Sequence, residues 1–109
     1  MSTDRELLDL AAKAYGIQLA WGGPDKDMPR RTDTWEIWNP RDDDGAALRL
    51  AVKLGMETYH ADDGGWFAYA SHPTARGIAY AIEPHGADAC AATRRAIFRT
   101  AAEIGRLMV

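Results

Sequence analysis

The chain has 109 residues, 47% of them apolar and 27% charged, with a formal net charge of −3. That is the size and composition of one globular domain, residues 1–109, and it argues against a disordered tail or a polycation. The single cysteine, Cys90, excludes an internal disulfide and fits a reducing compartment.

Thr3 followed by Glu6 is a capping-box pattern, and Leu7, Leu8, Ala11, Ala12 and Tyr15 recur at helical spacing, so a helix is expected over 4–15 with Gly16 as its left-handed stop. Ile17, Leu19 and Trp21 then alternate with smaller or polar residues, as in a short strand. Residues 22–33 hold two glycines, two prolines and six charges, which reads as a loop. Thr34 to Trp38 has the β-prone composition of a strand, stopped by Asn39-Pro40.

Residues 42–55 open with acids and continue with Leu48, Ala51 and Val52 at helical spacing, which predicts a helix ended by Gly55. Met56 to His60 and Trp66 to Ala70 read as strands around the turn Ala61-Asp62-Asp63-Gly64-Gly65, so 56–70 is expected to be a hairpin. Ser71 to Ala75, with Pro73, is expected to turn again, and Gly77 to Glu83 to form the last strand. Asp88 suits the N-cap of a long final helix over 88–108, with Cys90, Ile97, Ala101, Ile104 and Met108 as its apolar stripe. Gly105 lowers helix propensity there by about 1 kcal/mol relative to Ala, which predicts a frayed end.

The strands bear on layering. In 77–83, Ile78, Tyr80 and Ile82 alternate with Ala79 and Ala81, so neither side is polar. A half-solvated sheet would alternate apolar with charged residues. The expected fold is α+β, a three-layer helix–sheet–helix sandwich with a mainly antiparallel sheet of four to five strands and three helices.

The segments WNPRDDDGAALRLAVKLG (38–55) and AATRRAIFRTAAEIGRLM (91–108), with the opening helix and Gly16, resemble the small phage and prophage proteins grouped as the phage α/β/α-sandwich family. The resemblance covers most of the chain. It implies phage origin, a cytosolic location and the three-layer fold, and it carries no catalytic residue to this chain. Family members often have an acid after the Gly, where this chain has Ala46.

Candidate sites follow from residue chemistry. Trp21, Asp25, Asp27, Arg30, Arg31 and Trp38 lie in or beside the long loop and form the expected binding region, since exposed aromatics and Arg are common interface anchors. Trp35 and Trp38 would point to opposite faces of a regular strand, and Trp38 would share the side of Glu36, so one ring is expected to be partly exposed. Arg94, Arg95 and Arg99, with Arg106, could form a basic ridge for phosphates, against the dull reading of a solvated helix face. His60, Asp62 and Asp63, with Asp42, Asp43 and Asp44, offer oxygen and imidazole ligands for Mg²⁺ or Mn²⁺, against the reading of a polar turn and a helix start. Cys90 near a helix start, with His85 as a base, could act as a nucleophile, against the reading of a small core residue.

None of these makes a convincing catalytic set, so no catalytic residue, metal or cofactor is expected. The N-terminal stretch lacks the apolar core of a signal peptide, and no apolar run approaches the ~20 residues needed to span a bilayer. The sequence therefore points to a non-enzymatic binding protein of the host cytoplasm. Its partner would be a host or phage protein, and inhibition of a bacterial defence system is one such action. The acidic balance argues against nucleic acid as a partner, and a homodimer is left open. The alternative is a metal-dependent or nucleic-acid-processing factor using His60, Asp62 and Asp63 or the arginine ridge.

Overall fold

The structure, a computed structural model, describes residues 3–22, 28–62 and 64–108. Three helices are set by side-chain caps. Helix α1 (Asp4–Tyr15) starts where Thr3 Oγ1 accepts the Glu6 N–H at 3.2 Å, and it stops at Gly16, whose φ of 93° needs no β-carbon. Helix α2 (Asp44–Leu54) is capped by Asp43, which accepts the Gly45 N–H. Helix α3 (Ala89–Leu107) is capped by Asp88, which accepts the Ala91 N–H at 3.0 Å.

The β-structure is split in two. Strands β1 (Leu19–Ala20) and β2 (Arg30–Arg31) make a two-stranded antiparallel ribbon. Strands β3 (Glu57–Asp62), β4 (Trp66–Thr74) and β5 (Gly77–Pro84) make a three-stranded antiparallel meander with β4 in the centre. The class is α+β with three helices, as expected, but the expected sheet of four to five strands is a sheet of three beside a separate ribbon.

Two local differences from the expected elements stand out, the first of which lowers the strand count. The expected strand at 34–38 is absent: residues 32–34 turn, and only Ile37 forms an isolated bridge, to Arg30. Conversely, the turn expected at 71–75 is strand as far as Thr74. Thr74 Oγ1 accepts the Arg76 N–H at 3.1 Å and donates to the Gly77 carbonyl at 2.6 Å, which moves the reversal to Ala75-Arg76. Pro73 sits next to the strand end, where its missing donor interrupts little of the ladder.

Helix α3 is the centre of the core. It lies on β4 and β5, and α1 and α2 pack against it. Ala68, Ala70, Ala79 and Ala81 turn their small side chains toward α3 and are all buried. Their size lets the helix approach until Thr100 Oγ1 donates to the Ala70 carbonyl at 3.1 Å. Leu8, Leu50, Phe98 and Trp38 fill the helix–helix interior. Truncating Leu50 to Ala there costs about 2–5 kcal/mol. The buried face of α2 carries Ala47, Leu50 and Ala51, whereas Leu48 and Val52, expected in the apolar stripe, are exposed.

The sheet's other face carries Tyr59, Tyr69, Tyr80, Ile78 and Ile82. Ile78 is 66% exposed and Tyr80 58% exposed. Among the described residues no helix lies on this face, so the helix–sheet–helix order is met on one side of the sheet. Also among them, no helix is long and apolar enough to cross a membrane.

Candidate functional site

The expected binding region folds around the β1–β2 ribbon and the turn that follows it. Antiparallel pairing of Leu19 with Arg31 and Ala20 with Arg30 brings this turn beside the end of α1. Asp33 begins the turn: its carboxylate accepts the Thr34 N–H at 2.8 Å and takes both Nε and Nη2 of Arg31 at 2.9 and 2.8 Å. That fork holds the Asp33 carboxyl below the usual carboxylate range and raises the Arg31 guanidinium.

The chain then reverses at Trp35. Its N–H donates to the Arg31 carbonyl at 2.9 Å, and its carbonyl accepts from Arg30 Nη1 at 2.8 Å. The next residue's carbonyl, on Glu36, accepts the Arg31 N–H at 2.8 Å. Held at both ends, Trp35 adopts a φ of 64°, the one positive φ among the described residues other than glycine. A bulky residue there is strained by about 1–3 kcal/mol. Its ring is nevertheless 61% exposed, with Ile37 exposed nearby.

The other candidates fall into different places. Trp38 is buried, with its ring centroid 5.7 Å from that of Tyr15, and so belongs to the core; the exposed ring of the pair is Trp35. Trp21 is half-buried against α1: its Nε1 donates to Asp9 at 2.8 Å, and the Arg5 guanidinium lies 4.8 Å from its ring centroid. Arg30 and Arg31 serve the Trp35 turn as described. Asp25 and Asp27, and Lys26 between them, lie outside the described residues.

The arginine ridge is matched by acids. Arg94 Nη1 donates to Asp44 at 2.6 Å and its Nε to the Arg41 carbonyl at 3.0 Å. Arg95 and Arg99 converge on Glu83, which reaches across from β5 with its side chain only 13% exposed. Arg106 pairs with Glu103 at 3.5 Å. All four arginines thus have partners, and the phosphate-binding reading loses its free cations.

The acids considered as metal ligands are dispersed. Asp42 accepts from Asn39 Nδ2 at 2.9 Å and from Arg41, Asp43 caps α2, and Asp44 holds Arg94. Asp62 accepts the Gly65 N–H at 3.2 Å. Asp63 lies outside the described residues. No group of three metal-ligating side chains occurs among the described residues.

His60 does have a partner that sequence reasoning missed: its Nδ1 lies 2.8 Å from Nε2 of His85. The two are 25 positions apart, and β3–β4–β5 register, extended by the His85 N–H donating to the Trp66 carbonyl at 2.9 Å, brings them together. The ring of Trp66 stacks on His85 at 6.2 Å between centroids. These three residues and Cys90 line a groove of about 640 Å³ between α2, α3 and β3, whose walls are otherwise mainly apolar. No hydrogen bond joins Cys90 to His85 among the described residues.

Comparison with protein-family models finds no match, and neither do searches of curated proteins and of solved structures.

Proposed function

We propose that the chain is a small phage or prophage accessory protein of the host cytoplasm that acts by binding a host or phage protein, with no chemistry of its own. Inhibition of a bacterial defence system is one action within that reading. The observation that carries it is Trp35. A large aromatic ring is held out to solvent on a backbone fixed by Arg30 and Arg31, in a conformation that costs folding energy. Rigid, exposed Trp is the side chain most often found at the centre of a protein interface. Pre-ordering it removes part of the entropy lost on binding. Arg30, bonded to the Trp35 carbonyl, and exposed Ile37 give its neighbourhood mixed polar and apolar character, as at an interface rim.

The test is capture from lysate of the bacterial host on immobilised protein, with wild type and Trp35→Ala side by side. A specific protein retained by the wild type and lost with Trp35→Ala supports the reading. A protein retained equally by both, or none retained by either, removes Trp35 as the anchor and the reading with it.

A further inference from the structure

We infer that two copies of the chain pair through the open face of the β3–β4–β5 sheet. This face is distinct from the Trp35 turn, and the inference does not depend on it.

Strand alternation and the observed register define the face. Tyr59 is directly opposite Tyr69, and Ser71 opposite Tyr80, so the three tyrosines run diagonally across the sheet. Their rings are in contact, with centroids 4.6 Å apart for Tyr59 and Tyr69 and 6.1 Å for Tyr69 and Tyr80. Ile78 and Ile82 flank the diagonal on β5, and Ile82 is 48% exposed. The result is a continuous apolar surface of a kind that soluble monomers seldom leave open.

Charge selects the occupant. Of the strand residues that alternation places on this face, Glu57 is the only one that carries a charge, and it sits at the start of β3. A strongly charged partner finds nothing to pair with at the centre of this face. A second copy meets no such obstacle. Two copies of a chain of net charge −3 carry like net charge, and this surface has its acid at a corner and an uncharged centre. Glu103, Arg106 and Arg99 lie along its β5 side, which gives an apolar centre with a mixed-charge rim.

Size sets the strength. The nine residues of β4 span about 30 Å and three strands about 14 Å, so each copy offers roughly 400 Å² of projected area. Two copies together, allowing for side-chain relief, reach only the small end of the roughly 1,200–2,000 Å² typical of stable pairs. The pair therefore belongs with the small, transient class of interfaces. Two such sheets stack about 10 Å apart with strands within about 30° of one another. A two-fold axis then sets each tyrosine row against the other and leaves the helices outside, so that the layers run helix, sheet, sheet, helix. The apolar residues of the open side are thereby covered by the second copy, as Ala68, Ala70, Ala79 and Ala81 on the other side are by α3.

The experiment is sedimentation velocity on the full chain from about 1 to 300 µM, with Tyr80→Asp and Ile82→Lys variants. Both side chains are about half exposed or more, so the monomer fold survives, and circular dichroism checks it. Leu48→Asp serves as the control, because exposed Leu48 and Val52 form the competing apolar patch on α2. The expected result is a rise from the 12.0 kDa monomer toward twice that mass. Tyr80→Asp and Ile82→Lys should weaken the rise at least tenfold, and Leu48→Asp should leave it unchanged. A chain that stays monomeric throughout overturns the inference, as does a dimer broken by Leu48→Asp and untouched by the sheet variants.

Discussion

Gly105 of α3 lies against the backbone of Leu10 of α1 so closely that a β-carbon on it would stand 1.9 Å from the Leu10 carbonyl oxygen. The two helices make the most extensive packing among the described residues, and Gly105 sits within it. Sequence reasoning treats this glycine as a weak point at a helix end, yet it is buried and the helix continues to Leu107. Glycine's low propensity is outweighed by the contact it permits.

Gly105→Ala therefore separates two forces. Propensity alone favours Ala by about 1 kcal/mol. The steric conflict is with backbone and cannot be relieved by turning a side chain, so overpacking of about 1–3 kcal/mol or more prevails. The variant should melt several degrees below wild type, given about 4–8 °C per kcal/mol for a domain of this size. A melting temperature equal to or above wild type in differential scanning calorimetry contradicts the close contact.

What the sequence made legible was local. Thr3, Asp43 and Asp88 cap helices through bonds to residues two or three positions on, and Gly16 and Gly55 end them, so all three helices stand within two residues of their expected bounds. The His60–His85 contact was not legible, because it depends on the register of three strands. The open sheet face was not legible either: apolar residues on both sides show that both need cover but not what provides it. At Trp35 the β-prone run from Thr34 to Trp38 was outvoted by Asp33, whose side chain closes the turn with Arg31. Asp33 is itself a turn signal, and weighing it above the aromatic run would have found the turn. The Trp35 anchor would still have required the Arg30 and Arg31 bonds.

Strain at Trp35 is open to direct measurement. Trp35→Gly and Trp35→Ala both remove the indole, but only Gly relaxes at a φ of 64°. Gly also gains entropy in the unfolded chain, which offsets about 0.5–1 kcal/mol of the relief. Trp35→Gly should still be at least as stable as Trp35→Ala in urea unfolding. If Ala is clearly the more stable, the left-handed turn is not what holds this residue.

Acid should loosen the start of α2. The Asn39 amide, and then Arg41, hold the Asp42 carboxyl below the usual range. A carboxyl with a lowered folded pKa stabilises at pH above its unfolded value of about 3.9 and loses that contribution as pH falls through the folded value. Asp33 behaves alike through Arg31. Asp42→Asn should thus be less stable than wild type near neutrality, and the gap should close between about pH 5 and pH 2. A gap in urea midpoints that is constant over that range would show that Asp42 acts through its shape rather than its charge.

Glu83 should decide whether α3 behaves as a basic surface. Its side chain stands between Arg95 and Arg99 and is mostly shielded from water. Replacing it with Gln removes one negative charge, taking the formal net charge from −3 to −2, and leaves both guanidiniums without a counter-charge. A hydrogen bond to a charged partner contributes about 1.5–3 kcal/mol, so some stability is lost as well. Wild-type protein should pass through a heparin column at low salt, because its arginines on this helix are engaged with acids. Glu83→Gln should be retarded, and the retardation should fall as salt rises, as expected for phosphate-like contacts. Wild-type protein that binds heparin as tightly as Glu83→Gln would mean that Glu83 does not neutralise the ridge, and would return Arg95 and Arg99 to the list of nucleic-acid contacts.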